Sequence, residues 1–192
     1  AQGFLIVLTG KYNKLLPFVI KDHKHYQARF LLGKRYDTQD IWGTLIQEKE
    51  WRIHEQEELD KVSSSFLGKG IQIPPMYSAV KVNGKKLYEY ARNGKSVTLP
   101  KKEVTIKDIE LLSRDSSSFT FRTLVTKGCY IRSLIQDISK ELGVYATMFR
   151  LIRTKQGVVS IDMSNTIDDL LNNNYRILSI EECLDYPIVV ID

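Results

Sequence analysis

Residues 119–143 read FTFRTLVTKGCYIRSLIQDISKELG, and the hydrophobic spacing changes within this stretch. Four side chains first alternate at the period of a half-buried strand: Phe119, Phe121, Thr123 and Val125. After Gly128 we predict a second, short strand at residues 129–132. Four apolar side chains then recur at helical spacing: Leu134, Ile135, Ile138 and Leu142. Gly143 ends this helix, because glycine tolerates the left-handed conformation of a C-terminal cap.

Similar short apolar runs lie on both sides of this stretch. The other predicted strands are residues 4–8, 26–32, 43–47, 104–111, 148–152, 158–161 and 187–191. The other predicted helices are residues 55–66, 85–92, 166–171 and 179–184. Strands outnumber helices and hairpin-like pairs recur, which predicts an α+β fold with a mixed sheet.

Residues 76–94 differ from the rest of the chain. They follow Pro74-Pro75, and Asn83-Gly84 is the strongest turn signal in the sequence. Basic and aromatic side chains interleave here: Lys81, Lys85, Lys86 and Arg92 with Tyr77, Tyr88 and Tyr90. That combination suits phosphate contact and base stacking, although a surface hairpin with a short helix explains it as well.

Composition limits the possible functions. The chain has 192 residues, a net charge of +5 and a pI near 9.1, and this basic balance suits a polyanionic partner without requiring one. Two cysteines and three scattered histidines show no metal-ligand spacing, so we predict no metal site. No phosphate-binding glycine loop is present, and no apolar run is long enough to span a membrane.

Several residues could carry chemistry. On a predicted strand, Tyr130 and Arg132 share a face and offer an aromatic plane beside a fork of donors. An ordinary strand-end tyrosine with an ion pair is the alternative. Tyr26 could be half-buried packing, and residues 150–154 could be a solvated sheet face. Asp40, like Asp37, could be a turn residue rather than part of an acid–base pair.

Five segments together resemble one family, the TruB family of bacterial tRNA pseudouridine synthases. They are QGFLIVLTG (2–10), KRYDTQD (34–40), IPPMYSAVK (73–81), GKKLYEYAR (84–92) and KGCYIR (127–132). Their order and spacing agree with the family along essentially the whole of residues 1–192, which the resemblance identifies as an incomplete catalytic domain.

The resemblance implies a pseudouridine synthase fold, with helices flanking a mixed sheet and a central cleft. It implies isomerisation of the T-loop uridine of tRNA, at tRNA position 55, to pseudouridine after the base is flipped out. The tRNA T stem-loop is the implied partner, and neither a cofactor nor a metal is used. We expect a cytoplasmic monomer, in which residues 76–94 form a thumb that grips the RNA.

The resemblance also implies roles for individual residues. Tyr26 matches the tyrosine that stacks on the target base, Tyr130 the second active-site tyrosine, and Arg132 the arginine that pairs with the catalytic aspartate. The remaining matches line or border the site: Leu151, Asp40 and Lys14. The RNA contacts would come from the thumb and one further arginine: Tyr77, Lys81, Lys85, Lys86, Arg92 and Arg153.

One departure concerns the nucleophile. The family carries it in a Gly-Thr/Ala-Leu-Asp-Pro-Leu segment directly before Ala-x-Gly, so the aspartate would lie three residues before Ala1. The family's C-terminal RNA-binding PUA domain would follow the last residue. The resemblance therefore implies a truncated synthase that binds tRNA weakly and is inactive by itself. The alternative is a non-catalytic tRNA-binding or folding module derived from the family.

Overall fold

The computed structural model describes residues 2–19, 23–52 and 55–184. Its main sheet has seven strands. In spatial order six of them are β1 (Gln2–Gly3), β10 (Ala146–Gln156), β2 (Lys24–Leu32), β9 (Ser118–Val125), β8 (Lys102–Arg114) and β5 (Gly68–Gln72). β11 (Val159–Ser160) pairs with the end of β10. The β1–β10 pair is parallel and the others are antiparallel, so the predicted mixed sheet is confirmed.

Two helices cover one face of this sheet. α2 (Gln56–Ser64) lies against β8 and α4 (Ile131–Glu141) lies against β10. The core between helices and sheet contains alternating strand residues and the apolar side of α4, including Phe30, Phe119, Phe121, Ile135 and Ile138. Burying this apolar surface is the main force that holds the layers together.

Smaller elements complete the chain. Two hairpins stand apart from the main sheet, β3 (Lys34–Tyr36) with β4 (Leu45–Glu48) and β6 (Lys81–Val82) with β7 (Lys85–Lys86). The remaining helices are α1 (Leu16–Val19), α3 (Leu87–Arg92), α5 (Ile167–Leu171) and α6 (Ile180–Cys183). Gly10–Leu15 and Ile161–Met163 form 3-10 turns.

The predicted strand at residues 4–8 is wrong. Parallel pairing with β10 ends at Gly3, whose φ of 109° lies in a region that favours glycine. Phe4 is buried, but Leu5 and Val7 are 74% and 71% exposed, so the apolar run does not enter the sheet. The predicted strand at residues 187–191 lies outside the described residues.

The predicted strand at residues 129–132 is also wrong. Tyr130 is extended, with φ −100° and ψ 112°, but it is the N-terminal cap of α4, and Arg132 already lies in the first helical turn. The other predicted elements are confirmed with shifted ends. Residues 148–152 belong to the longer β10, and the helix predicted from residue 85 begins at Leu87.

Candidate functional site

A pocket opens where the N-terminus of α4 meets β2 and β10. Its volume is about 320 Å³, at the lower end of the range for small-molecule sites. The lining residues come from four separate segments: Tyr26, Asp40, Cys129, Tyr130, Ile131, Arg132, Met148 and Leu151. The fold therefore brings together five of the residues that the sequence singled out, namely Tyr26, Asp40, Tyr130, Arg132 and Leu151.

Arg132 connects the first turn of α4 with two other segments beside the pocket. Its Nη1 donates to the carbonyl of Thr38 and its Nη2 to the carbonyl of Tyr77, both at 2.7 Å. Nη1 also lies 3.5 Å from Oδ2 of Asp40. The side chain reaches these partners from the first turn of α4, so the shared strand face predicted for Tyr130 and Arg132 is not the reason that both line the pocket.

Asp40 belongs to a tight loop rather than to an acid–base pair. Its Oδ1 accepts hydrogen bonds from the Thr38 hydroxyl at 2.9 Å and from the backbone N–H of Trp42 at 3.1 Å. Asp37 Oδ1 accepts from the Thr44 N–H at 2.8 Å. Gly43 allows this folding, because a Cβ there would collide with the side chains of Asp37 and Thr38. Lys34 and Arg35, on the strand that precedes this loop, contact Glu48 and Gln47.

Leu151 enters the pocket because β10 is irregular. Met148 pairs with Phe30 and Arg150 pairs with Arg29, so Phe149 is an extra residue in the ladder. The bulge places Met148 and Leu151, three positions apart, on the same side of the sheet, where both line the pocket. Tyr26 is on the neighbouring strand and pairs with Arg153.

Burial favours the protonated forms of the Tyr26 hydroxyl and the Cys129 thiol. It raises the pKa of the Tyr26 hydroxyl, and the nearby Arg153 only partly opposes the shift. It raises the pKa of the Cys129 thiol to about 11. Burial lowers the pKa of Arg132, whereas the charges of Asp40 and Tyr130 oppose that change. Near neutral pH the Tyr26 hydroxyl and the Cys129 thiol are therefore uncharged.

Two other predicted site residues do not line the pocket. Lys14 is exposed in the 3-10 turn Gly10–Leu15 and is not among the described residues that line the pocket. Arg153 is not a lining residue, but it pairs with Tyr26 across the sheet and interacts with its hydroxyl. It also contacts the N-terminal segment: its Nε donates to the Phe4 carbonyl at 3.0 Å, and its guanidinium lies 5.5 Å from the Phe4 ring centroid.

The segment 76–94 has its own local structure. Asn83 and Gly84 have φ of 49° and 80°, as expected for the tight turn that joins β6 to β7. Leu87 is fully buried, and the Tyr90 hydroxyl donates to the Val82 carbonyl at 3.1 Å. On the outside, Lys86 and Arg92 both lie over the Tyr88 ring, at 5.5 and 5.2 Å from its centroid.

Lys81 and Lys85 are exposed on the hairpin of the same segment. Tyr77 connects the segment to the loop of residues 37–44, which we call the pocket loop. Its hydroxyl donates to Asp37 Oδ2 at 3.3 Å, while its carbonyl accepts from Arg132. Residues 76–94 are thus attached to the pocket wall through Tyr77.

Sequence reasoning missed the partner of Tyr130. The side-chain amide of Gln72, at the end of β5, accepts from the Tyr130 N–H at 2.7 Å and donates to the Tyr130 carbonyl at 3.0 Å. No local signal could have identified it, because the two residues lie 58 positions apart. Cys129, Ile131 and Met148 were likewise not expected to line the pocket.

The described residues hold neither a candidate metal cluster nor a candidate membrane-spanning helix. In residues 2–19, 23–52 and 55–184, no three His, Cys, Asp or Glu side chains come together in a way that could hold a metal ion. The helices found in the same residues are all too short or too polar to cross a bilayer.

The known sequences that resemble this chain are described as pseudouridine synthases. A family model described as TruB family pseudouridylate synthase, N terminal domain, matches residues 1–131. The tRNA pseudouridine synthase B of Clostridium novyi (strain NT) is 41% identical over 187 residues, covering 96% of this chain and 64% of that protein. The protein of the same name from Bacillus subtilis (strain 168) is 41% identical over 175 residues, covering 88% and 57%. The chain thus spans roughly three fifths of the length of these relatives.

Some solved structures also resemble this chain. A Cbf5-Nop10-Gar1 complex contains a chain that matches with a TM-score of 0.60 and 26% identity, over 83% of this chain and 38% of that one. An H/ACA RNP bound to a substrate RNA containing 2'-deoxyuridine matches with a TM-score of 0.56 at 22% identity, which supports the fold alone.

Proposed function

Because the chain belongs to the TruB family of pseudouridylate synthases, we propose that it provides the uridine pocket and RNA grip of a tRNA pseudouridine synthase. The substrate is the T-loop uridine of tRNA, and the product is pseudouridine. We propose that the protein acts in the cytoplasm as a monomer. The observation that carries this proposal is the convergence of Tyr26, Tyr130, Arg132 and Leu151 on one pocket.

The pocket suits a base that has left its stack. Tyr26 offers an aromatic plane, which single-stranded nucleotides use for stacking. Leu151 and Met148 supply an apolar wall, and the Arg132–Asp40 pair supplies a polar side. An enzyme that modifies a base in a folded RNA must first unstack it, and a pocket of about 320 Å³ can then enclose it.

The chemistry breaks the bond between the ribose C1' and N1 of uracil and forms a bond from C1' to C5. The proton leaves C5, N1 gains a proton, and no electrons are lost overall, so we propose that no cofactor takes part. A carboxylate must act at the sugar or the base. Among the described residues, Asp40 is the only carboxylate that lines the pocket, and Thr38, Trp42 and Arg132 already engage it.

We therefore propose that Asp40 orients Arg132 rather than attacking the substrate. Arg132 would then face the nucleophilic aspartate that the family pattern places three residues before Ala1. Residues 1–192 alone would bind the RNA and not isomerise it. A non-catalytic tRNA-binding or folding module is the second candidate, and the engagement of Asp40 is the observation that favours it.

We propose that residues 76–94 act as a thumb on the T stem. Lys86 and Arg92 lie 5.5 and 5.2 Å from the Tyr88 ring centroid, so the thumb presents two cations beside an aromatic ring. The exposed Lys81 and Lys85 extend the basic surface along the hairpin, and Tyr77 joins it to the pocket loop. Lys14 would be a further cation at the rim, and Arg153 would act mainly by supporting Tyr26.

Two measurements test the proposal. The 192-residue chain should bind an unmodified T stem-loop more tightly than the same RNA with the target uridine replaced by cytidine, and equal affinity would contradict a uridine pocket. Tritium release from RNA labelled at C5 of uridine should be absent. Release should appear when Gly-Thr-Leu-Asp-Pro-Leu is added directly before Ala1, and not when that aspartate is asparagine. Binding without release in the extended chain would favour the non-catalytic module.

A further inference from the structure

Gln72 forms an unusual contact with the backbone beside the pocket. It is the last residue of β5 and is only 4% exposed. Its side-chain Oε1 accepts from the Tyr130 N–H at 2.7 Å, and its Nε2 donates to the Tyr130 carbonyl at 3.0 Å. The amide of one side chain thus exchanges two hydrogen bonds with one residue, as two residues do across an antiparallel ladder.

The backbone N–H of Tyr130 needs a partner from elsewhere in the fold, because Tyr130 caps the start of α4 and its N–H donates to no helical carbonyl. As the N-terminal cap of α4 it has extended backbone angles, and no side-chain hydrogen bond caps the helix there. Its carbonyl also accepts from the Leu134 N–H at 3.0 Å, inside α4. In the described part of the chain, Gln72 is the only group that accepts a hydrogen bond from the Tyr130 N–H.

A second bond holds the same two segments together. The Ser133 hydroxyl donates to the Ile73 carbonyl at 2.7 Å, and both Ser133 and Gln72 are buried. The end of β5 is therefore joined to the N-terminus of α4 at two adjacent points. A displacement of β5 would move the residue that precedes the first turn of α4.

We propose that Gln72 is a positioning residue, which fixes the backbone of Tyr130 and so sets where the Tyr130 ring stands in the pocket. This inference rests on the proposed function, because it gives Gln72 an effect on uridine binding through Tyr130. Gln72 does not line the pocket itself. Its side-chain amide is required because one end must accept and the other must donate.

The test combines a backbone measurement with a binding measurement. Gln72→Leu keeps the approximate size and removes both hydrogen bonds to Tyr130, together with the 3.8 Å contact from Nε2 to the Cys129 thiol. Gln72→Glu keeps the acceptor and, when ionised, loses the donor. Gln136→Leu is the matched control, since Gln136 also bonds a backbone carbonyl, that of Ala146 at 2.7 Å, without contacting Tyr130. Amide hydrogen exchange of Tyr130 is followed by NMR, and the affinity for the T stem-loop is measured in the wild-type and Tyr130→Ala backgrounds.

We expect the Tyr130 amide to exchange at least about tenfold faster in Gln72→Leu, to remain protected in Gln72→Glu, and to be unchanged in Gln136→Leu. RNA affinity should fall about tenfold in Gln72→Leu and by less in Gln72→Glu. In the Tyr130→Ala background, Gln72→Leu should have no further effect.

Two results would overturn the inference: unchanged exchange at Tyr130 in Gln72→Leu, or an equal loss of affinity in both backgrounds. If the wild-type chain does not distinguish the uridine from cytidine, the proposed function fails instead. The exchange measurement then still decides whether Gln72 holds the Tyr130 backbone.

Discussion

Nη1 of Arg132 lies 3.5 Å from Oδ2 of Asp40, and their side chains are only 18% and 20% exposed. The same guanidinium donates to the carbonyls of Thr38 and Tyr77. One side chain therefore joins α4 to the pocket loop and to the start of the segment 76–94. This geometry depends on the planar fork of arginine, which lysine cannot reproduce.

We expect Arg132→Lys to lose at least one of the two carbonyl bonds. Hydrogen bonds to charged groups contribute about 1.5–3 kcal/mol, so the free energy of unfolding should fall by about that amount. Affinity for the T stem-loop should fall by at least about tenfold, because the pocket loop and thumb are no longer joined. Urea unfolding and RNA titration measure the two effects. Wild-type affinity in Arg132→Lys would show that the fork is dispensable for binding.

The ring of Tyr26 should matter more than its hydroxyl. Tyr26→Phe keeps the aromatic plane, so we expect its RNA affinity to stay within about twofold of wild type. Tyr26→Ala should lose about 1–3 kcal/mol of binding free energy, the contribution of one stacked base. Fluorescence titration with the T stem-loop distinguishes the two variants.

Tyr26→Ala needs a packing control, because Tyr26 also packs against the core. Leu111 packs on the same core and does not line the pocket. Leu111→Ala should therefore lower stability, by about 1 kcal/mol or more, without weakening RNA binding. If both alanine variants bind RNA equally, Tyr26 has only a packing role.

The fold class followed from local patterns, because alternation in residues 119–125 and helical spacing in 134–142 are set by burial on one side. The errors arose where tertiary contacts override such patterns. Residues 4–8 are as apolar as a strand, but the ladder to β10 ends at Gly3. The sequence pattern predicts a shared strand face for Tyr130 and Arg132, yet the helix begins between them.

The pocket was only partly predictable for the same reason. Tyr26 and Leu151 become neighbours through the register of β2 with β10, and Leu151 reaches the pocket through a bulge at Phe149 that its own sequence does not mark. The roles of Tyr130 and Arg132 came from motif resemblance. Gln72 carried no motif of its own, and only the β5–α4 contact identifies it.

The buried thiol of Cys129 predicts a pH effect on stability. Its pKa is raised to about 11 in the folded state, above its ordinary value of 9.0. Below about pH 9 the thiol is protonated in both the folded and the unfolded state, so its contribution to the free energy of unfolding is fully present there. Between about pH 9 and 11 the unfolded chain loses the proton first, so the free energy of unfolding falls as pH rises.

Comparison of the wild-type protein with Cys129→Ser isolates this thiol from the lysines and tyrosines that also titrate in alkali. The stability difference between the two should shift by about 1–2 kcal/mol against the wild type between pH 8 and pH 10.5. Urea unfolding at both pH values measures it. A constant difference would mean that the thiol is not desolvated in the folded state.

The proposed thumb predicts a specific salt dependence. Each phosphate neutralised by a lysine contributes about 0.7–0.9 to the slope of log affinity against log salt concentration. If Lys85 and Lys86 each contact one phosphate, replacing both with alanine should reduce the slope by about 1.4–1.8. In this variant the Tyr88 ring keeps one cation beside it, because Arg92 lies 5.2 Å from the ring centroid.

Lys61 and Lys107 are exposed on α2 and β8, outside the thumb, so their double alanine variant removes the same charge as a control. We expect the control to keep the wild-type slope, because Lys61 and Lys107 lie outside the thumb. If non-specific attraction alone held the RNA, both double variants would reduce the slope equally.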